Sequence, residues 1–116
     1  MKYLCLIYNQ PDLGPQPGTP EFDPYMQEYF TLTDRMKDVA KSLGGEALLG
    51  VETATSVRVR GGKVETMDGP FAETREHLGG YYLIEAADLE STITFASQIP
   101  DARTGTVEIR PVMEFS

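Results

Sequence analysis

The sequence predicts an α+β chain with the ferredoxin-like order, a split βαβ arrangement carrying an inserted β-hairpin, and three observations predict it. Two short runs, Lys2–Tyr8 and Gly79–Ala86, are apolar on both sides, as strands in the middle of a covered sheet are. Two amphipathic helical patterns alternate with the strand segments. A Gly-Gly pair between two short β-type runs marks a tight hairpin. The order strand, long helix, strand, hairpin, strand, helix, strand is that of two split strand–helix–strand units, and residues 1–116 are expected to form one domain. Two helices cover only one sheet face, so the other faces of the two central strands are left apolar and open. The expected remedy is a homodimer in which two sheets pack face to face as a dimeric α+β barrel.

Each element has its own signal. Tyr3, Leu4, Cys5, Leu6, Ile7 and Tyr8 leave the first strand no polar face. From Asn9 to about Asp23 follow Pro11, Pro15, Pro17 and Pro20 with Gly14 and Gly18, a composition that blocks helix and ladder alike. This loop is either a lid over a pocket or a plain surface connection. Asp23-Pro24 has the form of an N-cap and first helical position. Tyr25, Tyr29, Leu32, Met36, Val39 and Leu43 then draw one apolar stripe, expected to pack in the core with a ligand-site wall as the alternative for its two tyrosines, and Gly44-Gly45 is expected to end the helix. Glu46–Gly50 reads as a short strand. Around Gly61-Gly62, the register that sets Val59 opposite Val64, Arg58 opposite Glu65 and Val57 opposite Thr66 separates an apolar face from a charged one. Asp88 caps a second helix with expected buried positions at Leu89, Thr92, Ile93, Ala96 and Ile99, ended by Pro100. The last strand is expected over Thr106–Phe115, with Pro111 at an edge or bulge.

Composition narrows the function classes. Eighteen acidic residues against ten basic ones give a net charge of -8, which repels phosphate backbones and anionic membranes, so no nucleic-acid or membrane partner is expected. The one cysteine, Cys5, cannot form an internal disulfide, and no leader or membrane-spanning run is visible, so the expected location is cytoplasmic. No phosphate-cradling loop and no metal-ligand spacing occurs, and no cofactor or metal is expected.

Chemistry concentrates in Asp68-Gly69-Pro70-Phe71-Ala72-Glu73-Thr74-Arg75-Glu76-His77, which holds carboxylates, a guanidinium and the one imidazole of the chain. Asp68 and Glu73 are candidate acid–base groups, and His77 is a candidate proton carrier near neutral pH. The same residues also suit a plain Asp-Gly-Pro turn followed by a solvated charge cluster. Arg75 and Arg110 are candidates for pairing with an anionic small molecule, although the plain ion pair of Arg110 with Glu108 or Asp68 is the stronger expectation. Tyr8, Tyr81 and Tyr82 are candidate walls or hydroxyl donors of a binding site, or plain core.

The segment DGPFAETREHLGGYYLIEAADLE, with MKYLCLIY, GGEALLG and SVRVRGGKV before it and GTVEIRPV after it, resembles the DGPF branch of the YCII-related proteins across nearly the whole chain. The resemblance implies small bacterial proteins of the dimeric α+β barrel type. Some relatives are similar to lyase-like enzymes, including a dehydrochlorinase of aromatic degradation, with a histidine–aspartate dyad. Here the long helix has no histidine and offers Tyr25, Gln27 and Tyr29, so the dyad is not carried over. His77 stands where relatives of this branch commonly have glutamine. Related domains also occur beside extracytoplasmic-function sigma factors. Two readings result: a cofactor-free lyase- or isomerase-like enzyme acting by acid–base chemistry on a small anionic or aromatic molecule, or a non-catalytic ligand-sensing or protein-interaction module associated with sigma-factor regulation.

Overall fold

The computed structural model describes residues 1–115. Strand β1 (Lys2–Asn9) leads through the Pro/Gly loop to helix α1 (Phe22–Arg35), then strand β2 (Ala40–Ala47). A single 3-10 turn at Val51–Thr53 precedes β3 (Thr55–Arg60) and β4 (Lys63–Asp68). Strand β5 (His77–Ala86), helix α2 (Leu89–Ser97), a second 3-10 turn at Pro100–Arg103 and strand β6 (Thr106–Pro111) complete the order.

Four strands form one antiparallel sheet in the order β2-β5-β1-β6, and β3 pairs only with β4 as a second, two-stranded sheet. The two segments apolar on both faces therefore occupy the two central positions. The class is α+β, but the expected barrel is not present: the main sheet is open, ending on β2 at one edge and on β6 at the other. Four strands are too few to curl around a filled interior, for which about eight are needed.

The two faces of the sheet differ. Along β1, Tyr3, Cys5 and Ile7 are buried beneath the helices, where they pack with Leu32, Met36, Ala40, Ile84, Ala86, Phe95 and Ile99. Tyr82 meets Phe95 edge-on, with ring centroids 5.6 Å apart. Leu4, Leu6 and Tyr8 alternate to the opposite face, which also carries Tyr81 and Leu83 of β5, all only half-buried.

Helix α1 stops at Arg35, eight residues short of the expected end at Leu43. The amide groups of Val39 and Ala40 turn back to the Met36 carbonyl, and from Ala40 the chain pairs with β5, Ala40 facing Ala86. Ladder bonds and burial of Ala40 outweigh the continuing helical spacing, so β2 begins six residues before the expected Glu46 start. Gly44-Gly45 lies inside that strand, beside an irregularity between Ser42 and Gly44. A Cβ on Gly45 would sit 2.7 Å from the Tyr81 carbonyl oxygen, so close strand approach requires glycine there. The N-cap of α1 is Glu21 rather than Asp23, which falls in the first turn.

The hairpin has the expected register: Val59 faces Val64, Arg58 faces Glu65 and Val57 faces Thr66. Gly61 and Gly62 take φ values of 58° and 77°, the left-handed pair a two-residue turn needs. The ribbon stands away from the main sheet, and the radius of gyration of 16.2 Å exceeds the roughly 13.4 Å of a compact chain this long. In α2, Asp88 accepts a 2.8 Å hydrogen bond from the Ser91 amide, as its capping role requires. Leu89 and Ile93 are half exposed instead of buried, and Phe95 takes their place in the core. Strand β6 ends at Pro111, so Met113 and Phe115 lie beyond it and are exposed.

Candidate functional site

A cavity of about 350 Å³ opens between α1 and the sheet. Its floor owes its depth to glycines: Gly45 of β2 and Gly79 and Gly80 of β5 carry no side chains where others would fill the space. A Cβ on Gly80 would lie 2.8 Å from the Glu46 carbonyl oxygen, so strand packing as well as the cavity demands glycine there. Met26, Tyr25, Tyr29 and Phe30 of α1 supply the opposite wall, with Ile7, Asn9 and Tyr82 on the sheet side.

At this cavity lies Asp101, which is 5% exposed and the one buried acidic group among the described residues. The Tyr25 hydroxyl donates to Asp101 Oδ1 at 2.9 Å and Oδ2 at 2.8 Å, and the Tyr29 hydroxyl donates to Oδ2 at 2.6 Å. These charge-assisted bonds offset the cost of taking a carboxylate out of water. Spacing of four residues on α1 puts both tyrosines on one face, where their rings meet edge-on at 5.4 Å. Burial, followed by the hydrogen bond and charge of Asp101, pushes both phenols well above their ordinary pKa, so their protons stay in place.

Asp101 is fixed from two sides. Its carbonyl accepts the Gly105 amide at 2.7 Å, and Gly105 lies so close to the Tyr8 carbonyl that no side chain fits. Arg103, two residues on, makes a bidentate pair with Glu28 of α1, with oxygens at 2.7 and 3.1 Å. The 3-10 turn is thereby tied to the helix that carries the tyrosines. The Pro/Gly loop also passes nearby, since a Cβ on Gly14 would sit 3.9 Å from Asp101 Oδ1.

Of the residues singled out in the sequence, Tyr25, Tyr29 and Tyr82 line this cavity, while the charged candidates lie elsewhere and do not form one group. Asp68, Glu73 and His77 line a wide depression of about 690 Å³ at the base of the ribbon, with Val51, Met67, Pro70 and Phe71. Asp68 and Glu73 are exposed there, whereas His77, at the start of β5, is half-buried. Arg75 is exposed in the same loop. Tyr8 and Arg110 belong to the open sheet face, and Arg110 pairs with Glu108 at 3.4 Å. Tyr81 carries its ring toward that face too, although its residue borders the cavity. Among the described residues, no three His, Cys, Asp or Glu side chains gather where they could hold a metal ion. No helix is long and apolar enough to cross a membrane.

Sequence reasoning missed Asp101 because it sits in a short Pro-Asp-Ala-Arg turn with no periodicity of its own. The signal that was available is the pairing of two glycine pairs, Gly44-Gly45 and Gly79-Gly80, with the tyrosines of α1.

Fold and site together define a small two-layer α+β protein whose interlayer cavity is walled by aromatic side chains and anchored by a buried carboxylate. The model of the YCII-related domain matches residues 1–116, and the chain belongs to that family. It is 32% identical over 114 residues to an uncharacterized protein of Rhizobium meliloti (strain 1021), a match spanning 97% of this chain and 92% of the relative.

Proposed function

We propose that this YCII-related protein binds a small, largely apolar molecule in the cavity between α1 and β5, with Tyr25, Tyr29 and Asp101 orienting it. The observation that carries this reading is the buried Asp101 carboxylate, held by two phenol hydroxyls beside an aromatic cavity. Such a volume falls at the lower end of the range for small-molecule sites, about 300–1,000 Å³. The phenols hold their protons too tightly to serve as acids near neutral pH, which favours ligand sensing over acid–base turnover. The test is a thermal-shift screen of small aromatic molecules against the wild type, Tyr29→Phe and the pair Asp68→Asn with Glu73→Gln, since a ligand that binds the folded state raises its melting temperature. Shifts are expected to be reduced in Tyr29→Phe and kept in the Asp68 and Glu73 variants. The opposite pattern rejects this reading.

A second reading places acid–base chemistry in the depression at the ribbon base, with Asp68, Glu73 and His77 as its groups and Arg75 pairing an anion. Its support is that three chemically apt side chains border one depression. The same DGPFAET stretch is the reason for assigning the chain to the DGPF branch of its family, and with it comes an association with sigma-factor regulation through protein contact.

The half-buried apolar side chains on the open sheet face support a homodimer in which a second copy covers Leu4, Leu6 and Leu83. A single, buried thiol at Cys5 agrees with a reducing, cytoplasmic setting.

A further inference from the structure

The charge lining the cavity is one-sided, although Asn9 and Tyr82 keep neutral donors there. Tyr25 and Tyr29 commit their only protons to Asp101, so their oxygens have lone pairs alone to offer a ligand. Asp101 itself only accepts. The lining includes the Asp101 carboxylate and no Lys, Arg or His, while Arg103, the nearest guanidinium in sequence, is spent on Glu28. A carboxylate or phosphate ligand would bring like charge into a partly desolvated site. An ammonium group meets the reverse: a carboxylate and two polarised phenol oxygens as acceptors, and tyrosine rings for cation–π contact.

We propose that the cavity between α1 and β5 takes a small organic cation, an aryl- or alkylamine, with its ammonium group directed to the Tyr25–Tyr29–Asp101 cluster and its apolar body against Met26, Phe30 and Tyr82. This deepens the reading above that the cavity is the binding site, and rests on it. The sign of charge is what the geometry selects: aromatic walls alone accept many apolar bodies, whereas an end that carries a carboxylate and no cation discriminates amine from acid.

The experiment is calorimetric titration of the full chain with three molecules of matched shape, 2-phenylethylamine, 2-phenylethanol and phenylacetate, each followed by amide chemical-shift mapping. The expected result is that the amine binds at least about tenfold more tightly than the other two, shifts amides around Gly45, Gly80, Tyr29 and Asp101, and weakens by about tenfold or more in Asp101→Asn. If Asp101→Asn does not fold, the double variant Tyr25→Phe, Tyr29→Phe takes its place and is expected to weaken the amine severalfold. Equal or tighter binding of the alcohol or phenylacetate at those same amides overturns the amine assignment and leaves the cavity as a binding site. Absence of any cavity shift with all three overturns both. Unchanged amine affinity in the folded variants also overturns the assignment.

Discussion

Tyr29 and Asp101, 72 residues apart, share a 2.6 Å hydrogen bond that joins helix α1 to the turn before β6. The bond does two things at once. It satisfies a buried carboxylate, and it fixes the polarity of one end of the interlayer cavity.

Removing the Tyr29 hydroxyl leaves Asp101 with fewer donors in a buried position. Tyr29→Phe is expected to cost about 1–2 kcal/mol of stability, near the value of a hydrogen bond to a charged group. Urea denaturation of the variant and of Tyr25→Phe checks this, and a change below a few tenths of a kcal/mol in both would show that the cluster is not held as described.

The phenols also predict an alkaline transition. Tyr25 and Tyr29 are raised by burial and then by Asp101, and Tyr82 is raised by burial. A raised folded pKa means that the unfolded chain releases these protons first, so their contribution is complete below about pH 10 and lost as pH rises above it. Phenolate absorbance is expected to show these tyrosines ionising only with unfolding. Tyr25→Phe with Tyr29→Phe should remove part of the delayed component.

Cys5 obeys the same logic. Burial pushes its thiol up to about 11, against 9.0 in an exposed thiol. Its share of stability is present below pH 9 and falls away as pH rises toward 11. Thiolate is the reactive form, so alkylation of the native protein at pH 8 should run far slower than in denaturant. Equal rates would place Cys5 outside the core.

Gly105 has no room for a side chain between the Tyr8 carbonyl and Asp101. Gly105→Ala should cost about 1–3 kcal/mol through overpacking and displace Asp101 as it does so. By contrast, the bidentate Glu28–Arg103 pair is largely solvent-exposed, with side chains 40% and 58% accessible. Glu28→Gln is expected to cost well under 1 kcal/mol, because solvent screens the pair. Melting temperatures of the two variants should therefore separate clearly.

Much of the architecture could be read from residue order. The two central strands announce themselves through Leu4, Leu6, Leu83 and Ile84, and the ribbon register follows from Val59, Val64, Arg58 and Glu65, because cross-strand pairing is local. The end of α1 could not be read in this way. Leu43 continues the helical spacing, and only pairing with β5, distant in sequence, turns Ala40–Ala47 into a strand. The cavity was hidden for the same reason. Asp101 gains its meaning from Tyr25 and Tyr29, which no sequence spacing connects to it, whereas Asp68, Glu73 and His77 attract notice by being neighbours in the chain.

That the cavity anchored by Asp101 is where this protein binds its ligand is tested most directly by amide chemical-shift mapping with 2-phenylethylamine, 2-phenylethanol and phenylacetate. Saturable shifts are expected around Tyr25–Phe30, Gly45–Ala47, Gly79–Tyr82 and Asp101 with at least one of the three. Saturable shifts confined to Met67–His77, or no saturable shifts at the cavity with any of them, would contradict it.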